Sequence, residues 1–290
     1  MFKKSLVALV TIISIQGSWA QKKTFEPVDY VNILMGTDSK YSLSNGNTYP
    51  AIGLPWGMNI WTPQTGKNGD GWQYTYSAEK IRGFKQTHQP SPWMNDYGMF
   101  SLMPVTGKGV AEQEKRASWF SHKTEVAKPY YYSVYLADHD VTTEIAPTER
   151  AAIFRFTFPQ TDSAFVVIDA FDKESFVQII PEKQQIVGYS TKYSRGNLKN
   201  FKNYFIIQFD QPFTSAGCWT ENELLRNDLS LSNDKNSGAI VGFSIQTRGQ
   251  QVHARVASSF ISAEQAAINL RELGSDNFEQ VKQKRSRCLE

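Results

Sequence analysis

The sequence predicts an all-β protein: an antiparallel β-sandwich carrying one or two linker helices at its C-terminal end. Three observations support this. Short runs with period-two alternation fill residues 130–262, turn residues punctuate them, and helical spacing appears only after Ser262. The chain has 290 residues, 40% of them hydrophobic and 20% charged, which is enough to bury a core and excludes wholesale disorder.

Residues 1–20 read as a secretory signal. Lys3 and Lys4 precede an apolar run from Leu6 to Ile15, and Ser18-Trp19-Ala20 offers small residues where a signal peptidase cuts. The run is too short to span a bilayer comfortably, and no Cys follows it for lipid attachment. Cleavage would remove two Lys and no acid, lowering the formal charge from +3 to +1. The expectation is therefore an exported protein, periplasmic or extracellular, with no membrane partner after cleavage. A charge this small argues against nucleic-acid binding.

Residues 36–109 hold 11 of the 19 Gly, 6 of the 12 Pro and 4 of the 7 Trp. They read as long shaped loops joining short strands. Aromatics kept in loops serve either ligand contact or the plugging of a core end. In Gly69-Asp70-Gly71-Trp72, a tight turn presents a Trp that is either a sugar platform or a buried anchor. Gly83 to Gly98 is the most distinctive run. Pro90 and Pro92 stiffen it, and His88, Gln89, Trp93, Asn95 and Asp96 crowd together within it. Fixed polar groups beside a flat ring suit a hydroxyl-rich ligand; an ordered loop that satisfies its own backbone is the alternative.

From residue 130 the strands begin. Phe154, Phe156 and Phe158 point one way, with Arg155 and Thr157 between them. Phe165–Ile168, Tyr204–Phe209, Ala239–Ile245 and Val252–Phe260 follow the same habit. Asp138-His139-Asp140 would place two carboxylates on one side of an extended strand; solvated strand ends are the simpler reading here, and for Asp169 and Asp172 too. Ser262-Ala-Glu-Gln265 forms a capping box, and Ala266, Ala267, Leu270 and Leu273 recur at helical spacing before Gly274. A second helix starts near Asp276, with Phe278, Val281 and Cys288 on its apolar side. Cys218 and Cys288 read as unpaired, and no Cys/His spacing resembles a metal site. There is no nucleophile elbow and no phosphate-cradling loop.

One ordered set of motifs resembles a known family. Val31-Asn-Ile-Leu-Met-Gly-Thr37, Gly46-Asn-Thr-Tyr-Pro50, Gly53-Leu-Pro-Trp-Gly-Met58, Arg82-Gly-Phe84, Thr87-His88, Asp96-Tyr-Gly98 and Met103-Pro-Val-Thr-Gly107 together resemble the N-terminal domain of glycoside hydrolase family 92. Ser258 to Ser262 and the helix after it look like the end of that domain. The family comprises exported, inverting, calcium-dependent exo-α-mannosidases. The resemblance implies a super-sandwich at residues 21–262, followed by a helical linker at 263–290 leading to an (α/α)6 barrel that this sequence lacks. It places the catalytic acid and base, and most of the calcium ligands, on that barrel. The expected partners are then α-mannoside glycans and the barrel itself. No catalytic or metal-binding residue is assigned within this chain. Trp72 and Trp93 are expected to stack on sugar, and His88 and Asp96 to recognise hydroxyls. The alternative is a stand-alone carbohydrate-binding module with no catalytic partner.

Overall fold

The computed structural model describes residues 27–38, 48–67, 73–88, 96–193, 198–221, 223–233 and 235–287. The expected signal segment, Cys288 and the side chain of Asp172 lie outside the described residues. In chain order the elements are β1 (Ile60–Gln64), β2 (Lys80–Ile81), β3 (Gly83–Thr87), β4 (Ser101–Thr106), α1 (Gln113–Arg116), β5 (Ser118–Trp119), β6 (Val126–Lys128) and β7 (Tyr131–Leu136). There follow β8 (Val141–Pro147), β9 (Ala151–Thr157), β10 (Thr161–Asp172), β11 (Ser175–Ile180), β12 (Gln185–Ser190), β13 (Asn203–Phe209) and β14 (Ser215–Thr220). The chain continues through β15 (Glu223–Arg226), β16 (Ser230–Asn233), β17 (Asn236–Ile245), β18 (Gln251–Ser259), α2 (Ala263–Leu270) and α3 (Phe278–Arg287).

Two large antiparallel sheets face each other. The seven-stranded sheet runs β1-β3-β4-β10-β17-β14-β15, and the nine-stranded sheet β16-β11-β12-β13-β18-β9-β8-β7-β6. The expected all-β sandwich with C-terminal helices is what forms. Alternation decides which side chains enter the core. Phe154, Phe156 and Phe158 are buried from the nine-stranded side, and Phe84, Leu102 and Ile168 from the other. Trp61 is wholly buried and meets Phe154 edge-on at 4.8 Å and Phe100 at 5.6 Å, while Phe100 stacks on Phe205 at 4.4 Å. Each such ring contributes about 1.5–3 kcal/mol by leaving water.

The outer face of the nine-stranded sheet is covered by the C-terminal helices. Ser262 Oγ accepts from the Gln265 amide at 3.1 Å, starting α2 as the capping box predicts. Ala266, Leu273, Phe278 and Val281 bury against Ala146, Ile153, Ile206 and Ala257. Arg155 lies over the Phe278 ring at 4.1 Å and bonds Glu144 at 2.5 Å and Glu279 at 2.7 Å, so one strand cation fixes α3. The helices are therefore packed parts of this unit.

The outer face of the seven-stranded sheet is crossed by the segment from Gly107 to Ala117. Here the structure corrects a sequence expectation. Asp169 is not a solvated strand end: its Oδ2 lies 2.6 Å from Arg116 Nη2, with both side chains essentially unexposed. Arg116 also donates to the Ala111 carbonyl (2.7 Å) and the Arg82 carbonyl (3.2 Å), and its guanidinium lies over the Trp219 ring. A carboxylate is stable in this position because a fully hydrogen-bonded cation is buried with it. Asp138 to Asp140 keep to the simpler reading of a strand end, except that His139 is buried. They form the turn between β7 and β8, with Asp140 at φ 51°, so the two carboxylates do not share a strand face. Asp138 accepts from the Trp119 amide, and Asp140 from the Tyr135 hydroxyl. Cys218 is buried as a free thiol, its pKa pushed up to about 12 by burial and by Asp228.

Candidate functional site at the loop end of the sandwich

Strand β3 delivers His88 to one end of the sandwich, at the mouth between the sheets. Asp96 holds the chain where it returns. Its Oδ1 accepts from the His88 amide at 3.0 Å and the Tyr97 amide at 2.8 Å, closing the two ends of the loop between them. Its Oδ2 lies 3.3 Å from Lys85 Nζ, with both side chains 3% exposed. Lys85 Nζ in turn sits over the Phe171 ring at 5.4 Å. Gly98, at φ +60°, then tucks against the opposite sheet. A Cβ there would come within 2.8 Å of Asn203 and Phe260, so only glycine fits.

His88 is the chemically distinctive group. Its Nδ1–H donates to the Tyr97 carbonyl at 2.9 Å, which leaves Nε2 as the lone-pair nitrogen. Nε2 is buried and has no partner among the described residues. Tyr97 stacks on the ring and Phe260 meets it edge-on at 4.9 Å. Burial holds the His88 pKa below its ordinary value, against the opposing pull of Asp96 and the Tyr97 carbonyl. The ring is therefore a neutral acceptor, suited to a hydroxyl or amide donor.

A polar belt surrounds it. Asn203 Nδ2 donates to Gln86 Oε1 at 3.1 Å and to the Gly98 carbonyl, and Gln86 Nε2 donates to Asn59 Oδ1 at 3.1 Å. Gln73 Nε2 donates to Thr87 Oγ1 at 2.8 Å, and Tyr49 is hydrogen-bonded to Thr87. Burial and the nearby Asp96 raise the Tyr49 phenol to about 12, so it stays protonated. The Gln73–Thr87 bond has a geometric consequence. It ties the residue that follows Trp72 to the strand end that precedes the Trp93 loop, so the stems of both loops meet at one place. Trp72 and Trp93 themselves lie outside the described residues.

The structure thus puts His88 and Asp96 together, in different situations. His88 keeps a ring nitrogen without a partner among the described residues, whereas both Asp96 oxygens face groups of this chain. Lys85, Tyr97, Asn203 and Phe260 complete the arrangement and were not singled out in the sequence. Lys85 and Tyr97 belong to the distinctive run. Asn203 and Phe260 arrive from the other sheet, more than 100 residues away, and no local signal marks them.

Beside this mouth the surface is apolar. Trp56 is fully exposed at φ 64°, Met58 is 63% exposed and Ile261 77%. Met58, Arg150, Phe260, Ile261 and Gln265 line a shallow hollow of about 150 Å3. Single exposed apolar residues are ordinary; a cluster beside a polar mouth marks a contact surface.

Comparison with known proteins decides the family. A model of the glycosyl hydrolase family 92 N-terminal domain matches residues 30–259. This chain belongs to that family. The family 92 fold covers nearly all that is described here. The chain superposes on the inverting family 92 mannosidase of Bacteroides thetaiotaomicron with a TM-score of 0.87 and 43% identity, covering 92% of this chain and 36% of that one. A family 92 α-mannosidase of the same organism, solved with mannoimidazole, gives 0.76 and 26%, covering 90% of this chain and 36% of that one. A secreted glycosidase of Arthroderma benhamiae is 22% identical over 283 residues, covering 87% of this chain and 36% of that protein. The family 92 chain described here thus spans about a third of the length of these relatives.

Two histidines of this family 92 domain, His139 buried and His88 half-buried, make a pH prediction. His139 donates from Nε2 to the Arg116 carbonyl at 2.9 Å and accepts at Nδ1 from the Thr106 amide at 3.3 Å, a pairing that only the neutral ring can make. Burial lowers the pKa of both His88 and His139 below the ordinary 6.5. The unfolded chain therefore binds more protons than the folded one once pH drops below about 6.5. Stability is full above that pH and declines as pH falls toward the folded values. Urea midpoints at pH 8 and pH 5 should show the loss, and His139→Gln should flatten the slope. A midpoint independent of pH between 8 and 5 would contradict it.

Proposed function

We propose that this chain is the carbohydrate-contacting N-terminal part of an exported, inverting, calcium-dependent α-mannosidase, inactive without a catalytic domain. The observation that carries the reading is the buried Nε2 of His88, without a partner among the described residues, an acceptor at a mouth where the stems of two Trp-bearing loops converge. Such a nitrogen gains a hydrogen bond when a sugar hydroxyl or a residue of a second domain meets it.

The acid and base are read as lying elsewhere. Inversion needs two carboxyl groups about 6.5–9.5 Å apart, one a general acid and one free to activate water. Asp96 is held by Lys85 and two amides, and Asp169 by Arg116, so neither is free for proton transfer. Calcium, on the family resemblance, is held mainly by that same part. Among the described residues no three His, Cys, Asp or Glu side chains gather to hold a metal. The apolar surface of Met58 and Ile261, with the fully exposed Trp56 two residues before Met58 in the chain, is read as the face that this part covers. Export rests on the signal-like residues 1–20 and on the secreted fungal relative.

The test is complementation. The chain is mixed with the separately produced remainder of the B. thetaiotaomicron inverting mannosidase, and hydrolysis of an α-mannoside is followed. The mixture should exceed the remainder alone by tenfold or more. His88→Ala should lower that gain, and Trp56→Ser should demand a higher chain concentration for it. No gain over the remainder alone would sink the reading. Saturable binding of mannose by the chain without any such gain would favour the stand-alone binding module.

A further inference from the structure

A second concave surface lies on the outer face of the seven-stranded sheet, away from the His88 mouth. It is a groove of about 540 Å3 between the segment that starts at Gly107 and the β14–β15 hairpin. That volume falls in the range of small-molecule sites, about 300–1,000 Å3. Its floor is Phe165, Ile240 and Leu224. Glycines flank the Phe165 ring: a Cβ on Gly242 would lie 3.1 Å from it, and one on Gly109 would lie 3.6 Å from it and only 2.8 Å from Ile240. The sequence thus keeps space where side chains would close the groove.

Its charge is one-sided. Lys108 and Arg226 line it, and no Asp or Glu does. Both cations are exposed, and neither has a side-chain partner among the described residues. Ser215 and Asn227 add neutral hydrogen-bonding groups to the rim. An apolar floor with a half-buried aromatic ring suits the C–H face of a pyranose, and two unpaired cations suit an acid group.

We propose that this groove binds an anionic sugar, a hexose bearing a phosphate or a carboxylate, with its ring against Phe165 and its acid group between Lys108 and Arg226. The inference does not rest on the function proposed for the loop end, because the groove shares no residue with it.

Calorimetric titration of the full chain with mannose 6-phosphate, glucuronate, mannose and inorganic phosphate tests this. At least one sugar acid should bind saturably, and at least tenfold more tightly than mannose or inorganic phosphate. Which acid binds separates phosphorylated from uronic ligands. Lys108→Gln with Arg226→Gln, both at exposed positions, should weaken that binding at least tenfold with an unchanged melting temperature. The proposal is overturned if neither acid binds, if inorganic phosphate binds as tightly as the sugar acid, or if the Lys108/Arg226 double variant, still folded, binds unchanged.

Discussion

Asp169→Ala is expected to lower the unfolding free energy by about 3–5 kcal/mol, the usual cost of stranding one partner of a buried ion pair. Arg116 would keep its bonds to the Ala111 and Arg82 carbonyls but lose its only charged partner among the described residues, at zero exposure. The guanidinium cannot escape its cost by losing a proton, since arginine stays charged in proteins. The segment carrying it must then peel from the sheet or hold an uncompensated charge against Trp219. Urea unfolding reads the loss directly. The double variant Asp169→Ala with Arg116→Met should recover most of it, because an apolar pair of similar volume is often as stable as the buried ions. A loss below about 1 kcal/mol in the single variant, the typical net worth of an ordinary hydrogen bond, would show that Arg116 finds water.

Gly238→Ala should be at least as damaging. Gly238 pairs with Trp219 on one side and Asp169 on the other. A Cβ there would lie 2.1–2.3 Å from three atoms of the indole. The ring cannot slide away cheaply, because its Nε1–H donates to the Ile168 carbonyl at 3.1 Å and Arg116 lies over its face. Overpacking a core costs about 1–3 kcal/mol where side chains can shift, and more where they cannot. The expected result is a loss above about 3 kcal/mol, or no folded protein at all, with Trp219→Phe as a second change restoring part of it. A melting temperature within a few degrees of the parent would refute the clash. The Asp169 and Gly238 variants touch one cluster, so their effects should not add.

The sandwich was legible because its strands repeat with period two over stretches as long as Phe154 to Phe158, and local sequence records that period. The helix starting at Ser262 was legible for the same reason, its cap and apolar stripe being neighbours in sequence. Asp169 was misread because its partner lies 53 residues earlier. Sequence shows an acid at a strand end; only the crossing of the sheet shows the buried cation above it. Asp138-His139-Asp140 was legible as a strand end but not as a tight turn: three polar residues fit either, and Asp140 adopts the left-handed turn conformation. At the mouth, the run from Gly83 to Gly98 announced a special loop. It could not say that Asp96 would join the His88 and Tyr97 amides while His88 Nε2 lacked a partner among the described residues, since this depends on where Lys85, Asn203 and Phe260 converge.

Strand β18 sits in the middle of its sheet, between β13 and β9, with four strands on each side. It is also the latest strand of the described chain to be synthesised. Until residues 251–259 leave the ribosome, the strands on either side are two separate half-sheets, each with a bare edge at β13 or β9. The sandwich therefore cannot close progressively as it is made. Its closure is a single late event that joins distant segments, which makes it slow and leaves the waiting edges open to pairing with other chains. Any nascent or clipped chain that stops short of β18 should behave as an aggregating intermediate rather than as a smaller version of the fold.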